Sequence, residues 1–338
     1  VTPMMGKHVL KEAPGVTSLE PPSRTVVGVY LGWRGLSIYF PGLKETTFWG
    51  RKSAARQVGA AGAAKETLLK LESLVNRKND DSRDSVGELK QKSQLILIGH
   101  SFGAAIAYSS ISQTLVDRYR DACHPPQQHK SCERKGFGDL VILVNPAFEA
   151  AKFEELHSLV SGNDVPAYTS HEQLPVFAIL NSEGDKATKY LFPAARALSQ
   201  PFGAKKEDKD EKEKRITTVG HYEQYHTHRL SPLKNNSDYI CSEALEAEQY
   251  VDTIGFFMDW RAEKEENFEG YSVETPFEKE YLDLAQIGTQ LRRKTDVYPD
   301  LNPYLSISIE KDLIPNHNDI YDCRVLRFMQ LLLSLIHI

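Results

Sequence analysis

One serine stands between two glycines at the junction of an apolar run and an alanine-rich one. The stretch Leu95-Ile96-Leu97-Ile98-Gly99-His100-Ser101-Phe102-Gly103-Ala104-Ala105 carries G-x-S-x-G in a strand–turn–helix context. A bend this tight holds its central residue in a strained backbone conformation, in which side chains two positions before and after it are expected to collide. Gly99 and Gly103 are read as removing that collision. Ser101 then projects its hydroxyl beyond the strand end as a nucleophile. The helix starting near Phe102 aims N–H groups and the positive end of its dipole at the same point, which makes the Phe102 N–H a candidate oxyanion donor. A serine acting only as a helix N-cap accounts for Ser101 but not for both glycines.

A serine hydroxyl is a poor nucleophile near neutral pH, so it needs an imidazole to take its proton and a carboxylate to hold that imidazole. The apolar run 175–180 leads into Asn181-Ser182-Glu183-Gly184-Asp185-Lys186-Ala187-Thr188, which sets a carboxylate just past a strand end. Asp185 is the candidate acid, with helix capping as its alternative role. Glu183 competes beside it, and Glu149 follows the preceding strand. For the base, His317 lies in Leu313-Ile314-Pro315-Asn316-His317-Asn318-Asp319-Ile320, between the last apolar strand and the last helix. His221 is the rival, in GHYEQYHTHRL with His226, His228 and Glu223. That cluster also suggests a metal site, but it lacks the helical spacing of zinc motifs, so no metal is expected. The chemistry needs no organic cofactor.

Five short apolar runs, at 26–31, 94–98, 140–144, 176–180 and 305–309, are read as strands. Helical periodicity between and after them predicts helices over 52–76, 103–120, 148–160, 188–198 and 321–335. The alternation implies an α/β fold with a mostly parallel central sheet flanked by helices. Unbroken runs such as Leu95-Ile96-Leu97-Ile98 are expected to be covered on both faces. Residues 1–24 read as an N-terminal extension and 25–200 as the core, with the last strand, the histidine loop and the final helix in 301–338. Between them, 201–300 breaks the rhythm. KKEDKDEKEKR at 205–215 is expected to be a mobile surface loop. The aromatic-rich stretch 216–300 is expected to lie over the C-terminal edge of the sheet, either as a lid shaping an acyl pocket or as an excursion packed on the domain's side.

On GHSFGAA and the later acid and histidine loops, the chain resembles the α/β-hydrolase superfamily, over residues 25–200 and 300–335. The strings VVGVYLGWRGLS, TFWGRKSA and GFGDLVILVNPAFEA resemble a largely uncharacterised microbial branch of hydrolase-fold proteins. The resemblance implies the chain order serine, acid, histidine. It also implies a carboxylic ester hydrolase forming an acyl-enzyme on Ser101, with Asp185 and His317 completing a catalytic triad and a small-molecule ester as partner. Thioesterase, acyltransferase and peptidase chemistries stay open. The alternative is a hydrolase-fold protein that binds a ligand or a protein without catalysis. The superfamily takes a second oxyanion N–H from the loop after an early strand, where this chain has Gly32-Trp33-Arg34-Gly35; Trp33 is the candidate donor. Only one strand is read before the nucleophile strand. That opens the reading that the chain is a fragment whose oxyanion loop lay upstream of Val1, and the terminal LSLIHI resembles translated sequencing adapter.

Composition narrows the partners. The chain of 338 residues is 41% hydrophobic and 26% charged with a formal net charge of -5, and this lack of a basic excess argues against nucleic acid. No run approaches the roughly 20 apolar residues of a membrane span. With no signal-peptide core, the reading favours the cytoplasm and leaves secretion open if a leader was lost. The four cysteines, at 123, 132, 241 and 323, form no C-x-x-C pair; Cys123 and Cys132 are read as free thiols or as a local disulfide.

Overall fold

A computed structural model describes residues 3–7, 25–32, 62–82, 92–121, 135–161, 173–198, 208–233, 254, 257, 277–278, 281–294 and 302–336. Strands β1 (Pro3–Lys7) and β2 (Val27–Leu31) form a separate antiparallel pair. Among the described residues the main sheet has eight strands. In chain order they are β3 (Ile96–His100), β4 (Leu140–Val144), β5 (Phe177–Ser182), β6 (His228–Pro232), β7 (Phe277–Glu278), β8 (Tyr281–Leu284), β9 (Thr289–Arg293) and β10 (Tyr304–Ile309). Their order across the sheet is β3-β4-β5-β10-β6-β9-β8-β7. The pairings from β3 through β6 are parallel, and those among β6, β9, β8 and β7 are antiparallel.

The centre of this α/β fold follows from period-two patterning on strands buried on both faces. In β4, Val141 and Leu143 join one apolar cluster while Leu140, Ile142 and Val144 join the other. In β5, Phe177 and Ile179 divide from Ala178 and Leu180 in the same way. The first cluster is covered by helices α2 (Phe102–Asp121) and α3 (Glu154–Val160), through residues such as Tyr108, Leu115 and Leu156. A later helix, Cys323–Leu335, covers the second with Val325, Phe328, Leu332 and Leu335, spaced along one helical face.

Several expectations need correction. Among the described residues the run at 26–31 does not enter the parallel sheet: β2 pairs there with β1 alone, and Val27 and Tyr30 are 54% and 73% exposed. Its composition expresses strand propensity with little burial, Leu31 alone of the strand packing against the first apolar cluster. Strand β3 is the outermost described strand on its side and leaves Ile98 54% exposed, so it is not covered on both faces. Helix α1 (Ala63–Asp81) starts after Gly62, whose φ of 83° is left-handed, and it runs beyond the expected end at 76. The helix expected over 148–160 is broken into a 3-10 turn, Ala150–Lys152, and α3. That expected over 188–198 begins as a π-helical turn, Ala187–Leu191, and continues as α4 (Phe192–Leu198). Pro193 has no N–H to donate to the preceding turn, which accounts for the wide winding there.

The charged stretch is not a loop throughout. Helix α5 (Lys209–Ile216) is capped by the Asp208 carboxylate, and Lys214 pairs with Asp210 at 2.8 Å on its own helix and with Glu154 of α3 at 2.7 Å. Charges arranged four residues apart, with an anchor on a neighbouring helix, order a segment that composition alone assigns to disorder. The described parts of 216–300 extend the main sheet through β6 to β9, while 234–253, 255–256, 258–276, 279–280 and 295–300, on which the choice between lid and excursion turns, lie outside the described residues. The final helix, Cys323–Leu335, is α6. Cys323 is disulfide-bonded, a link that the cysteine spacing does not signal; Cys123, Cys132 and Cys241 lie outside the described residues.

One partly buried ion pair, with Glu72 buried and Arg118 one third exposed, ties the helices to the sheet. Glu72 of α1 accepts both terminal nitrogens of Arg118 of α2, at 2.7 and 2.8 Å, and the Gly138 N–H at 2.7 Å. Arg118→Met leaves that carboxylate without its cation, and is expected to lower stability by on the order of 2 kcal/mol. Urea unfolding followed by far-ultraviolet circular dichroism checks this.

Candidate functional site

Ser101 is the single residue between the end of β3 and the start of α2, and its φ is 56°. A non-glycine residue in the left-handed region is uncommon and persists where its surroundings over-determine it. Here its N–H donates to Val144 O at 3.0 Å, and its own carbonyl accepts the Ala105 and Ala147 N–H groups at 3.2 and 3.1 Å. A Cβ on Gly99 would lie 2.7 Å from Ala104 Cα, so glycine is required before the bend. One on Gly103 would meet nothing within 4 Å, which corrects the expectation that both glycines relieve a collision. Phe102 opens α2 as expected; Trp33 lies outside the described residues.

The three residues proposed from sequence converge. His317 Nε2 is 2.7 Å from Ser101 Oγ and His317 Nδ1 is 2.7 Å from Asp185 Oδ2. A carboxylate only accepts, so Nδ1 carries the proton and Nε2 turns its lone pair to the serine hydroxyl, which donates. Asp185 is fully buried while the His317 side chain keeps 20% exposure. Burial alone would raise the Asp185 pKa, but hydrogen bonds from His317 and Thr188 outweigh it and hold the carboxyl below its ordinary value. The two roles weighed for Asp185 are divided between its oxygens. Oδ1 caps a helical turn by accepting the Ala187 and Thr188 N–H groups at 2.9 and 3.1 Å, while Oδ2 accepts from His317 and from the Thr188 hydroxyl.

The acid and histidine loops are packed directly on each other. The Ser182 hydroxyl donates to Ile314 O and accepts the Gly184 N–H at 2.9 Å. A Cβ on Gly184 would lie 2.4 Å from Pro315 O, so only glycine permits this approach. Two further side chains missed in the sequence reach the same loop. Asn145 Nδ2 donates to His317 O at 3.0 Å, and His100 Nε2 donates to it at 2.9 Å. The only local hint was an Asn-Pro pair just after a strand and a histidine beside the serine.

The rival residues have other partners. Glu183 pairs with Arg229 at 3.2 Å and accepts from the Ser308 hydroxyl at 3.1 Å. Glu149 pairs with Arg196 at 3.0 Å and with Lys152 at 3.6 Å. His221 Nε2 lies 3.0 Å from Thr188 Oγ1, behind the acid and on the far side of it from Ser101 in the hydrogen-bond chain. Burial pushes its pKa down to about 4, against the pull of Asp185. His226 Nε2 donates to Gly220 O at 3.0 Å, and His228 Nδ1 is 2.8 Å from Thr227 Oγ1. The three rings thus face separate partners. Among the described residues, no group of three or more His, Cys, Asp or Glu side chains could hold a metal ion, and no helix is long and apolar enough to cross a membrane.

No protein-family model matches the chain, and neither the curated proteins nor the solved structures yield a match.

Two predictions follow from this geometry. Gly99→Ala is expected to destabilise the protein by about 1–3 kcal/mol through overpacking. Gly103→Ala, in a helix with open space before it, should be neutral or stabilising by up to about 1 kcal/mol; urea midpoints of the two variants measure the contrast. The second concerns acid. His221 has its pKa depressed from 6.5 to about 4 in the folded protein, so the unfolded chain takes up the proton first as pH falls. Its contribution is intact above pH 6.5 and is lost as pH falls toward 4, a change on the order of 3 kcal/mol. His221→Gln should flatten the fall in unfolding free energy over that window.

Proposed function

We propose that the chain is a serine hydrolase of the α/β-hydrolase fold, acting on carboxylic esters through an acyl-enzyme on Ser101. One observation carries the reading: a single imidazole lies 2.7 Å from both the hydroxyl of a serine with a left-handed backbone and a buried carboxylate. The chain order of serine, acid and histidine supports it, as does the mostly parallel sheet beneath them.

In the first step the Ser101 oxygen bonds to the ester carbonyl carbon as its proton passes to His317 Nε2. Negative charge builds on the carbonyl oxygen, and the Phe102 N–H at the start of α2 stabilises it. Collapse expels the alcohol, which takes the proton from His317. Water then repeats the sequence: His317 accepts its proton, hydroxide adds to the acyl carbon, and Ser101 leaves with the proton returned. Asp185 stays ionised throughout, holds the Nδ1–H tautomer and stabilises the imidazolium. Its depressed pKa suits that role. Esters are preferred over amides and thioesters on the superfamily's habit alone.

A fluorophosphonate probe tests the reading. The expected result is one label per chain, absent in Ser101→Ala. Asp185→Asn should keep the fold but lower kcat on p-nitrophenyl esters by on the order of 10⁴-fold, because the amide favours the wrong tautomer. A folded protein that takes no label would instead support a binding protein without catalysis.

A further inference from the structure

We propose that Asn145 and His100 are positioning residues that fix the His317 imidazole against Ser101 by donating together to the main-chain carbonyl of His317. The inference rests on the serine-hydrolase reading and concerns how the base is held. His317 lies in the stretch between β10 and α6, outside both elements, so neither sheet nor helix hydrogen bonds set its position. A hydroxyl–imidazole contact of 2.7 Å in such a segment needs anchors on the main chain beside the ring.

The geometry supplies two, and they use both lone pairs of one oxygen. Asn145 follows β4 directly, is buried, and adopts a left-handed φ of 44° that asparagine tolerates better than most residues. Its N–H donates to Leu180 O at 2.9 Å, its Oδ1 accepts the Ser182 N–H at 2.9 Å, and its Nδ2 donates to His317 O at 3.0 Å. One side chain therefore joins the end of the acid strand to the histidine loop. A residue that only terminated β4 would not need the amide hydrogens that reach His317.

His100 makes the matching link from the nucleophile strand. Its Nε2–H donates to His317 O at 2.9 Å, and the two rings lie 4.9 Å apart between centroids at 39°. Because His100 is the residue before Ser101, a shift of His317 away from the hydroxyl must break a bond to the serine's own neighbour. Burial lowers the His100 pKa, so its ring stays neutral beside the base. Serine, acid and histidine loops are in this way referred to one carbonyl oxygen.

The test uses three variants of the full chain. Asn145→Asp keeps the shape and the acceptor for Ser182 but turns an oxygen toward His317 O. His100→Phe keeps a ring without the donor, and His100→Gln restores an N–H at a similar reach. The readouts are the rate constant and the final extent of fluorophosphonate labelling, with kcat and KM for a p-nitrophenyl ester. Asn145→Asp and His100→Phe are expected to label to the wild-type extent but about tenfold to a hundredfold more slowly. Their kcat should fall with KM unchanged, and His100→Gln should stay within about threefold of wild type, as expected when the donor geometry is kept. Unchanged labelling rates in Asn145→Asp and His100→Phe overturn the proposal. So does a reduced extent with a wild-type rate, which marks damage to the fold, or a His100→Gln variant as slow as His100→Phe. If wild-type protein takes no label, the hydrolase reading itself fails and the proposal with it.

Discussion

The site depends on one imidazole hydrogen-bonded at both nitrogens, across a separation of 216 residues on one side and 132 on the other. Contacts this distant in sequence exist only if the strands that end beside them are held in register. Strands β3, β5 and β10 run in one direction, through β4 between the first two, so the residues that follow them emerge at one edge of the sheet. Ser101 follows β3, Asp185 follows β5, and His317 follows β10. The parallel core therefore sets the serine, carboxylate and imidazole at one edge of the sheet.

Packing then converts proximity into geometry. Strands β4, β5 and β10 are buried along their whole length, and slipping any of them by one residue would exchange its two apolar faces. On that rigid base, Gly99 lets β3 approach α2 closely and Gly184 lets the acid loop touch the backbone at Pro315. The carboxylate of Asp185 is buried but stays ionised because four hydrogen bonds enter it: two from backbone N–H groups, one from Thr188 and one from His317.

The sequence disclosed those features that local pattern encodes. The runs at 140–144, 176–180 and 305–309 are apolar without alternation because both faces are buried, and each is a strand of the main sheet. Ser101, Asp185 and His317 were legible because each lies in the bend or loop that follows an apolar run, with side-chain chemistry suited to the site. What escaped depends on pairings that no local window contains. The run at 26–31 has the composition of a core strand yet pairs outside the main sheet. The charged stretch before residue 216 forms α5 because its charges meet partners at helical spacing and on α3. Asn145, His100 and Gly184 look ordinary in sequence, since their roles appear only against His317 and Pro315.

The central claim is that Ser101 is made nucleophilic by His317, and trapping its acylated form tests this most directly. Protein mixed with excess p-nitrophenyl acetate at low temperature, quenched in acid and digested, should carry one acetyl group per chain on the peptide containing Ser101. His317→Ala should carry none on the same time scale. Acetylation scattered over lysines and tyrosines, or equal modification of Ser101 without the imidazole, would contradict the account.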